Sequence, residues 1–266
     1  MMSLNRFYNE DCFKTIQRMK SENIVVDNVI TSPFYNTSRS SKYHTSKKGR
    51  DNYEGRYDIA IDNISNEDYI KFTVELFNEL DSIIKENGSI IYNLNYGSEN
   101  TEAIWLVVSE IIKKTNWTVA DDIIWLKKTA LPNNTSYNKL TRIVEHIFVF
   151  CRKKEFKTFY CNKGMKSVSK TGQKYYHNVF NIIEAKNNDG SCKLNKATFS
   201  TELVSKLIDL YVPEKGLVYD CFMGTGTTAN ACLLKGRMYV GSEISKAQCD
   251  YSYDRIMDTL SKMELK

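Results

Sequence analysis

The chain has 266 residues, of which 42% are hydrophobic and 26% are charged. This composition is that of an ordinary globular protein and excludes disordered and collagen-like classes. The net charge of +5 permits a polyanionic partner without requiring one. Seven scattered cysteines form no CxxC pair, so we expect reduced thiols and no metal site. Without a signal-peptide pattern or an apolar run of about 18 residues, we expect a cytoplasmic protein with no membrane contact.

Short β-branched runs alternate with longer amphipathic segments along the chain. The pattern predicts a helix at 68–86 and another through residue 111, and further helices after the last two strands. Strands are predicted at 25–31, 89–94, 119–126, 147–150, 217–220 and 238–241. This alternation is typical of an α/β fold with a mostly parallel twisted sheet and helices on both faces.

Two polar segments interrupt this alternation. Residues 36–57 are rich in Ser, Lys, Arg and Tyr, and residues 151–193 are rich in Lys, Asn and Gly. We predict that 1–150 and 194–266 form one catalytic domain, that 36–57 is a contact loop, and that 151–193 is a small recognition insertion. Basic residues interleaved with aromatic ones are typical of nucleic-acid contacts, although a solvated loop produces the same pattern. The candidate contacts are Asn36, Arg39, Lys47, Lys48 and Lys174, together with Phe34 just before the first segment.

A glycine-rich turn follows the predicted strand at 217–220. Gly224 and Gly226 let the backbone approach a ligand, and the following helix start offers free N–H donors. Glu243 ends the next strand, where its carboxylate could accept both hydroxyls of a ribose. No lysine follows Gly226, which disfavours a P-loop ATPase. Taken alone, the turn leaves open NAD binding, S-adenosylmethionine binding and a purely structural role.

The segment Thr31-Ser-Pro-Phe-Tyr-Asn follows the first long strand, at the edge where α/β sheets bind ligands. An exocyclic amino nitrogen is a poor nucleophile because its lone pair is delocalised into the ring of its base. Acceptors such as the Ser32 hydroxyl and the Pro33 carbonyl can draw its hydrogens and shift it towards tetrahedral geometry. Tyr35 offers a flat face to a base taken out of the duplex, with Phe34 beside it. Ser32, Pro33 and Tyr35 are therefore the predicted catalytic residues.

Together, the two motifs resemble those of the amino-methyltransferase family of bacterial restriction-modification systems, in the permuted class whose catalytic motif precedes its cofactor motif. Thr31–Tyr35 is similar to the family's Ser/Asp/Asn-Pro-Pro-Tyr/Phe, and Asp220–Thr228 to its Asp-Pro-Phe-x-Gly-Ser-Gly-Thr-Thr. The resemblance implies a Rossmann-like methyltransferase fold with inserted DNA-recognition loops, and S-adenosyl-L-methionine as cofactor. It implies cofactor contacts from Asp11, Cys12, Phe199, Asp220, Phe222, Gly224, Gly226, Thr227, Thr228 and Glu243.

Three positions depart from the family pattern. Phe34 replaces the usual second proline, Cys221 replaces the proline after Asp220, and Asn195-Lys196 replaces a typical His-Pro. The leading Ser32 is similar to members that methylate cytosine N4, whereas adenine N6 members more often begin with Asp or Asn. Cytosine N4 is therefore the favoured target, with adenine N6 as the alternative.

Other interpretations stay open at this point. A nicotinamide oxidoreductase could use the same turn, but no pair of residues typical of a hydride-transfer site accompanies it. A methyltransferase of RNA or of protein glutamine, or a non-catalytic DNA-binding module, could retain both motifs. The partners implied by the resemblance are double-stranded DNA, with a cognate restriction endonuclease and a second copy of the chain as further candidates.

Overall fold

The computed structural model describes residues 3–36, 64–95, 97, 100–129, 137–190, 194–195 and 197–264. The predicted contact loop at 36–57 therefore lies outside the described residues, except for Asn36. The strands are β1 (Arg6–Tyr8), β2 (Val26–Thr31), β3 (Ile84–Leu94), β4 (Trp117–Lys127), β5 (Val144–Arg152), β6 (Met165–Val168), β7 (Lys174–Tyr176), β8 (Ile182–Ala185), β9 (Leu217–Asp220) and β10 (Met238–Ser242). The helices are α1 (Cys12–Ser21), α2 (Asn66–Asp81), α3 (Ala103–Lys114), α4 (Thr201–Tyr211), α5 (Thr227–Leu234) and α6 (Lys246–Glu264). No helix in these ranges is long and apolar enough to span a bilayer.

Eight strands form one sheet in the order β1-β10-β9-β2-β3-β5-β4-β8. Five neighbouring pairs are parallel, and only β3·β5 and β4·β5 are antiparallel, so the expected mostly parallel α/β sheet is confirmed. The chain leaves β2 towards β3 on one side and leaves β9 towards β10 on the other. Where the strand order reverses in this way, the loops at the carboxyl ends of the strands diverge and open a crevice. This reversal lies between β9 and β2.

The central strands carry an apolar layer on each face. Val29 and Ile90 pack in a core with α1, α2 and α3, while Ile30 and Ile91 pack in a second core with α4, α5 and α6. Neighbouring residues point to opposite faces because side chains alternate along a strand. The central strands therefore consist of nearly continuous apolar residues, and the helices cover both faces as expected.

The boundary between α2 and β3 differs from the prediction. The sequence predicted a helix to Glu86, because Ile83 and Ile84 continue the helical spacing of apolar residues. In the structure α2 ends at Asp81 and β3 begins at Ile84, where it pairs with β2. Gly88 allows this close approach, since a Cβ there would lie 2.3 Å from a backbone oxygen of β2. Pairing between strands therefore decides this boundary over local helical spacing.

Part of the segment 151–193, which was predicted to be a recognition insertion, belongs to the main sheet. Cys151 and Arg152 complete β5, and β8 joins the main sheet beside β4 with Ile183 and Ala185 buried. The lysine-rich composition on either side concealed these core residues in the sequence. Between β5 and β8, the hairpin of β6 and β7 forms a separate two-stranded sheet with an exposed surface.

Phe77 of α2 provides a test of the first core. It is fully buried, and its ring contacts those of Tyr92, Trp117 and Phe150 at centroid distances of 5.3, 6.5 and 4.9 Å. We expect Phe77→Ala to lower the free energy of unfolding by about 3–5 kcal/mol because it leaves a cavity between these rings. Urea denaturation measures this change, with the exposed Val25→Ala expected within about 0.5 kcal/mol of the wild type. A loss of less than about 1 kcal/mol for Phe77→Ala would contradict this packing.

Candidate functional site

A cavity of about 280 Å³ opens at the carboxyl edge of the sheet, beside the reversal between β9 and β2. Its wall combines the start of α1, the loop after β2, the glycine turn after β9 and the loop after β10. Seven predicted site residues line it: Asp11, Cys12, Ser32, Phe34, Phe222, Gly224 and Glu243. A larger cleft of about 470 Å³ surrounds the ion pairs of Arg152 and contains none of the predicted site residues.

The glycine turn depends on backbone conformations that side chains disfavour. Gly224 and Gly226 have φ of 54° and 79°, in the left-handed region. A Cβ on Gly226 would also lie 3.1 Å from Ser252, on α6. The backbone N–H of Gly224 donates to Glu243 Oε2 at 2.8 Å, and the Ser252 hydroxyl donates to the Gly224 carbonyl at 2.8 Å. The turn is thus fixed from both sides.

Asp220 joins the two motifs. Its carboxylate accepts hydrogen bonds from Thr31 Oγ1 at 2.7 Å, from Thr228 Oγ1 at 2.5 Å and from the Phe222 amide at 3.0 Å. Thr31 ends β2 directly before the predicted catalytic motif, whereas Thr228 lies in the first turn of α5. Complete burial raises the pKa of Asp220 to about 6, although these hydrogen bonds oppose the shift.

Hydrogen bonds from α2 and its neighbours hold the loop after β2 in place. The Tyr69 hydroxyl donates to the Phe34 carbonyl at 2.7 Å, and the Phe34 ring packs against Phe72 and Phe222. Asn36 has a positive φ of 49° and is fully buried, with its Oδ1 accepting from the Ile64 amide at 2.9 Å. The loop therefore has a fixed exit, and Asn36 acts as part of that structure.

Ser32 begins a line of polar side chains that leads from the cavity into the protein. The Tyr35 hydroxyl lies 3.0 Å from Ser32 Oγ, 2.8 Å from Asn93 Oδ1 and 3.1 Å from Glu145 Oε2. Lys127 Nζ donates to the other Glu145 oxygen at 2.5 Å. We call Ser32, Tyr35, Asn93, Glu145 and Lys127 the polar row.

The cavity wall is acidic in a protein of net positive charge. Glu10, Asp11 and Glu243 line it, and no lysine or arginine is among the described residues of the wall. Burial raises the pKa of Cys12 to about 12 and raises that of Cys221 well above its ordinary value, which disfavours the reactive thiolate form of both thiols in the wall. Among the residues the structure describes, no group of three or more His, Cys, Asp or Glu could hold a metal ion.

Comparison with known protein families shows to which family the chain belongs. A family model described as DNA methylase, covering N6 and N4 methyltransferases, matches residues 26–254. The chain belongs to this DNA methylase family. Among curated relatives, the type II methyltransferase M.BglII of Bacillus subtilis is 22% identical over 94% of this chain and 68% of its own length. The orphan methyltransferase M.BamHII of Bacillus amyloliquefaciens is 26% identical over 68% of this chain and 79% of its own length.

Solved structures of DNA methyltransferases share the fold. The PvuII DNA methyltransferase, described as cytosine-N4-specific, has a TM-score of 0.66 at 16% identity and covers 98% of this chain and 93% of its own. M1.HpyAVI has a TM-score of 0.61 at 19% identity and covers 94% of this chain and 98% of its own. The expected methyltransferase fold and family are therefore confirmed, and the nicotinamide oxidoreductase interpretation is not supported.

The residues predicted for the cofactor of this DNA methylase fall into three groups. Five line the cavity, namely Asp11, Cys12, Phe222, Gly224 and Glu243. Four shape the glycine turn without lining the cavity, namely Asp220, Gly226, Thr227 and Thr228. Phe199 belongs to neither group: it packs in the second core, beside Thr31 and Asn93 and beneath the polar row.

The residues predicted to contact DNA are scattered. Phe34 belongs to the cavity wall, and Asn36 is buried. Lys174 is exposed on β7 of the hairpin. Arg39, Lys47 and Lys48 lie outside the described residues. The structure therefore does not bring these six residues together at one described surface.

Several site residues were not predicted from the sequence. The cavity wall also contains Glu10, Ile64, Phe72, Asn195, Cys221, Ile244 and Gln248. The polar row adds Asn93, Glu145 and Lys127. One signal was present for Glu145, which occupies a strand position that alternates with buried Ile147 and Val149, where a charged side chain is unexpected. Phe72 carried no such signal, because its position on α2 resembles any apolar helical position.

The raised pKa of Asp220 predicts that the free energy of unfolding depends on pH. Between about pH 4 and about pH 6, the folded protein holds a proton on Asp220 that the unfolded chain has already lost. This contribution to stability is complete below about pH 4 and is lost as the pH rises through about 6. Since Asn does not titrate, we expect the stability of the wild type relative to Asp220→Asn to fall by about 3 kcal/mol between about pH 4 and about pH 7. Urea denaturation of both proteins tests this, and a difference independent of pH would refute it.

Proposed function

We propose that this DNA methylase transfers a methyl group from S-adenosylmethionine to the N4 amino group of a cytosine flipped out of double-stranded DNA. The observation that carries the proposal is the place of Ser32. Ser32 lines the cavity, and the preceding Thr31 is tied through Asp220 to the glycine turn. An acceptor for an amino group and a turn suited to the cofactor therefore share one cavity wall.

The charged and apolar residues of the cavity wall suit S-adenosylmethionine. The cofactor carries a sulfonium and an ammonium group, and the carboxylates of Asp11 and Glu243 in the wall complement these positive charges. A dinucleotide would bring a diphosphate, for which this wall has no described cationic partner. Glu243 would hold the ribose, and Phe222 and Ile244 would supply apolar contacts. The bound cofactor would supply an electrophilic methyl group.

The chain's own residues would activate the target nitrogen. The Ser32 hydroxyl and the Pro33 carbonyl would accept hydrogen bonds from the amino group and favour tetrahedral geometry at nitrogen. Tyr35 is only 4% exposed and its hydroxyl belongs to the polar row, so stacking of the base on its ring requires the residues that cover the ring to move when DNA binds, while the hydroxyl keeps its contacts in the row. Alignment of nitrogen and methyl group would supply most of the remaining acceleration.

Cytosine N4 is proposed because the catalytic motif begins with Ser32. The PvuII enzyme, whose description specifies cytosine N4, shares the fold at 16% identity. Adenine N6 is the alternative, since the family model covers both targets. RNA or protein glutamine as substrate, and a non-catalytic module, have weaker support because the matching family is described as DNA methylase.

DNA would be read by the two polar segments. In the hairpin, Lys174, Tyr175 and Tyr176 are exposed together on β7, where a two-stranded ribbon could enter a groove. Arg39, Lys47 and Lys48 in the 36–57 loop are proposed as phosphate contacts. A cognate restriction endonuclease and a homodimer remain predictions from the resemblance.

Mass spectrometry of modified bases tests the reaction directly. Purified protein is incubated with S-adenosylmethionine and unmethylated genomic DNA, and the DNA is digested to nucleosides. We expect N4-methylcytosine, formed about 100-fold more slowly by Ser32→Ala because it loses an acceptor at the amino group. The surface variant Ser21→Ala serves as control. N6-methyladenine would keep the enzyme class and refute the cytosine proposal, and no modified base on diverse DNA would refute DNA methylation by this chain.

A substitution of Glu243 tests whether the cavity binds S-adenosylmethionine. We expect Glu243→Ala to weaken S-adenosylmethionine binding about 10-fold or more, because it removes the ribose acceptor and one support of the Gly224 amide. Isothermal titration calorimetry without DNA measures this affinity. The exposed Glu214→Ala in the loop before β9 is the matched control and should bind like the wild type. Equal affinities for both variants would place the cofactor elsewhere.

A further inference from the structure

The polar row crosses four neighbouring strands at one edge of the sheet. Ser32 follows β2, Asn93 lies near the end of β3, Glu145 near the start of β5, and Lys127 ends β4. These strands are adjacent in the order β2-β3-β5-β4. Because β5 runs antiparallel to β3, its amino end reaches the same edge as the carboxyl ends of β2 and β3.

All members of the row that lie on strands belong to one face of the sheet. Asn93 is two residues beyond Ile91, Glu145 two before Ile147, and Lys127 two beyond Trp125, and these apolar residues are all in the second core. Side-chain alternation therefore points the three polar groups to that face. The strand register, more than any local motif, aligns them with Ser32.

The row leads from the cavity to the protein surface. Ser32 lines the cavity, whereas Tyr35, Asn93 and Glu145 are 4%, 4% and 6% exposed. The side chain of Lys127 is 21% exposed and lies over the Trp125 ring at 4.9 Å. A buried carboxylate paired with this cation is costly to bury and contributes little net stability, so its position at the end of the row calls for a functional explanation.

We propose that Glu145 is a positioning residue that receives, through Tyr35 and Ser32, the proton lost by the target amino group; this inference rests on the proposed function. When the nitrogen bonds to the methyl carbon, the carbon–sulfur bond breaks with its electron pair on sulfur, and one N–H bond breaks with its pair on nitrogen. The proton passes to Ser32 Oγ as the Ser32 proton passes to the Tyr35 oxygen and the Tyr35 proton to Glu145 Oε2. Each transfer crosses a distance of 3.0 or 3.1 Å between these side chains.

Asn93 and Lys127 keep this path aligned. Asn93 donates to the His146 carbonyl at 3.0 Å, and its Oδ1 lies 2.8 Å from the Tyr35 hydroxyl, which keeps that hydroxyl beside Glu145. The hydroxyl has one proton and donates it either to Asn93 Oδ1 or to Glu145 Oε2, and the path uses the second of these bonds. Lys127 binds the Glu145 oxygen that does not face Tyr35 and so leaves Oε2 available to accept. After the reaction, Lys127 keeps its charge and the proton can leave towards the surface.

Single-turnover methylation at saturating cofactor and DNA tests the path. We expect Glu145→Gln and Tyr35→Phe each to slow the methyl-transfer step about 100-fold, with cofactor and DNA affinities changed less than about 3-fold. Because the two residues act in series, the double variant should be no more than about 3-fold slower than the slower single variant. Multiplied losses in the double variant, or a Glu145→Gln rate within about 3-fold of the wild type, would overturn the proposal.

Glu155 supplies a matched control. Like Glu145, it is 6% exposed and paired with a cation, here Arg152. It lines the separate cleft of about 470 Å³, whereas Ser32 lines the cavity of about 280 Å³. Glu155→Gln should leave the methyl-transfer rate unchanged. If Glu145→Gln alone does not fold, Lys127→Met/Glu145→Gln replaces it, since that variant leaves no buried charge unpaired.

A readout without cofactor separates this inference from the proposed function. In the free protein labelled with ¹³Cζ-tyrosine, the Tyr35 signal, assigned with Tyr35→Phe, should shift in Glu145→Gln and stay in place in Glu155→Gln. An unchanged signal would refute the contact between Tyr35 and Glu145. If the signal shifts in Glu145→Gln but the wild-type protein methylates no DNA, the proposed function and the proton path are both refuted, and the polar row remains as a structural feature.

Discussion

The site depends on one buried carboxylate. Asp220 ends β9 and binds the hydroxyls of Thr31 on β2 and Thr228 on α5, so it joins the two strands between which the sheet order reverses. If β9 and β2 were free to shift against each other, the crevice between them would still open, but the glycine turn and the loop after β2 would not be aligned across it. The three hydrogen bonds of Asp220 fix the glycine turn relative to the loop that begins at Ser32, and burial raises the pKa of this carboxyl.

The two faces of the sheet contribute different kinds of side chain to the region around the loop after β2. On the side of the first core, aromatic rings of Phe34, Phe72 and Phe222 form an apolar wall for the cavity. On the side of the second core, the polar row extends from Ser32 under the same loop, with Phe199 and α4 packed beneath it. One short loop after β2 thus presents an apolar surface to the cavity and a row of hydrogen-bonded side chains to the interior.

The departures from the family motif have local structural explanations. Phe34, where the family usually has proline, fills the space between Tyr69 and Phe222, and its carbonyl is fixed by the Tyr69 hydroxyl. Cys221 is buried in the wall, where a neutral thiol behaves as a small apolar side chain. Asn195 reaches across the glycine turn and donates to Gln248 at 3.1 Å. None of the three disrupts the loop or turn in which it lies.

The sequence by itself determined the α/β class, the two motifs and the DNA methylase family, because strand and helix periodicity and short contiguous motifs are local properties of the chain. It also predicted seven residues that line the cavity. Only the tertiary structure decided the early start of β3, the membership of β8 in the main sheet and the polar row. Those features arise from strand register and antiparallel pairing, which bring Asn93, Lys127 and Glu145 to one edge although no spacing in the sequence relates them.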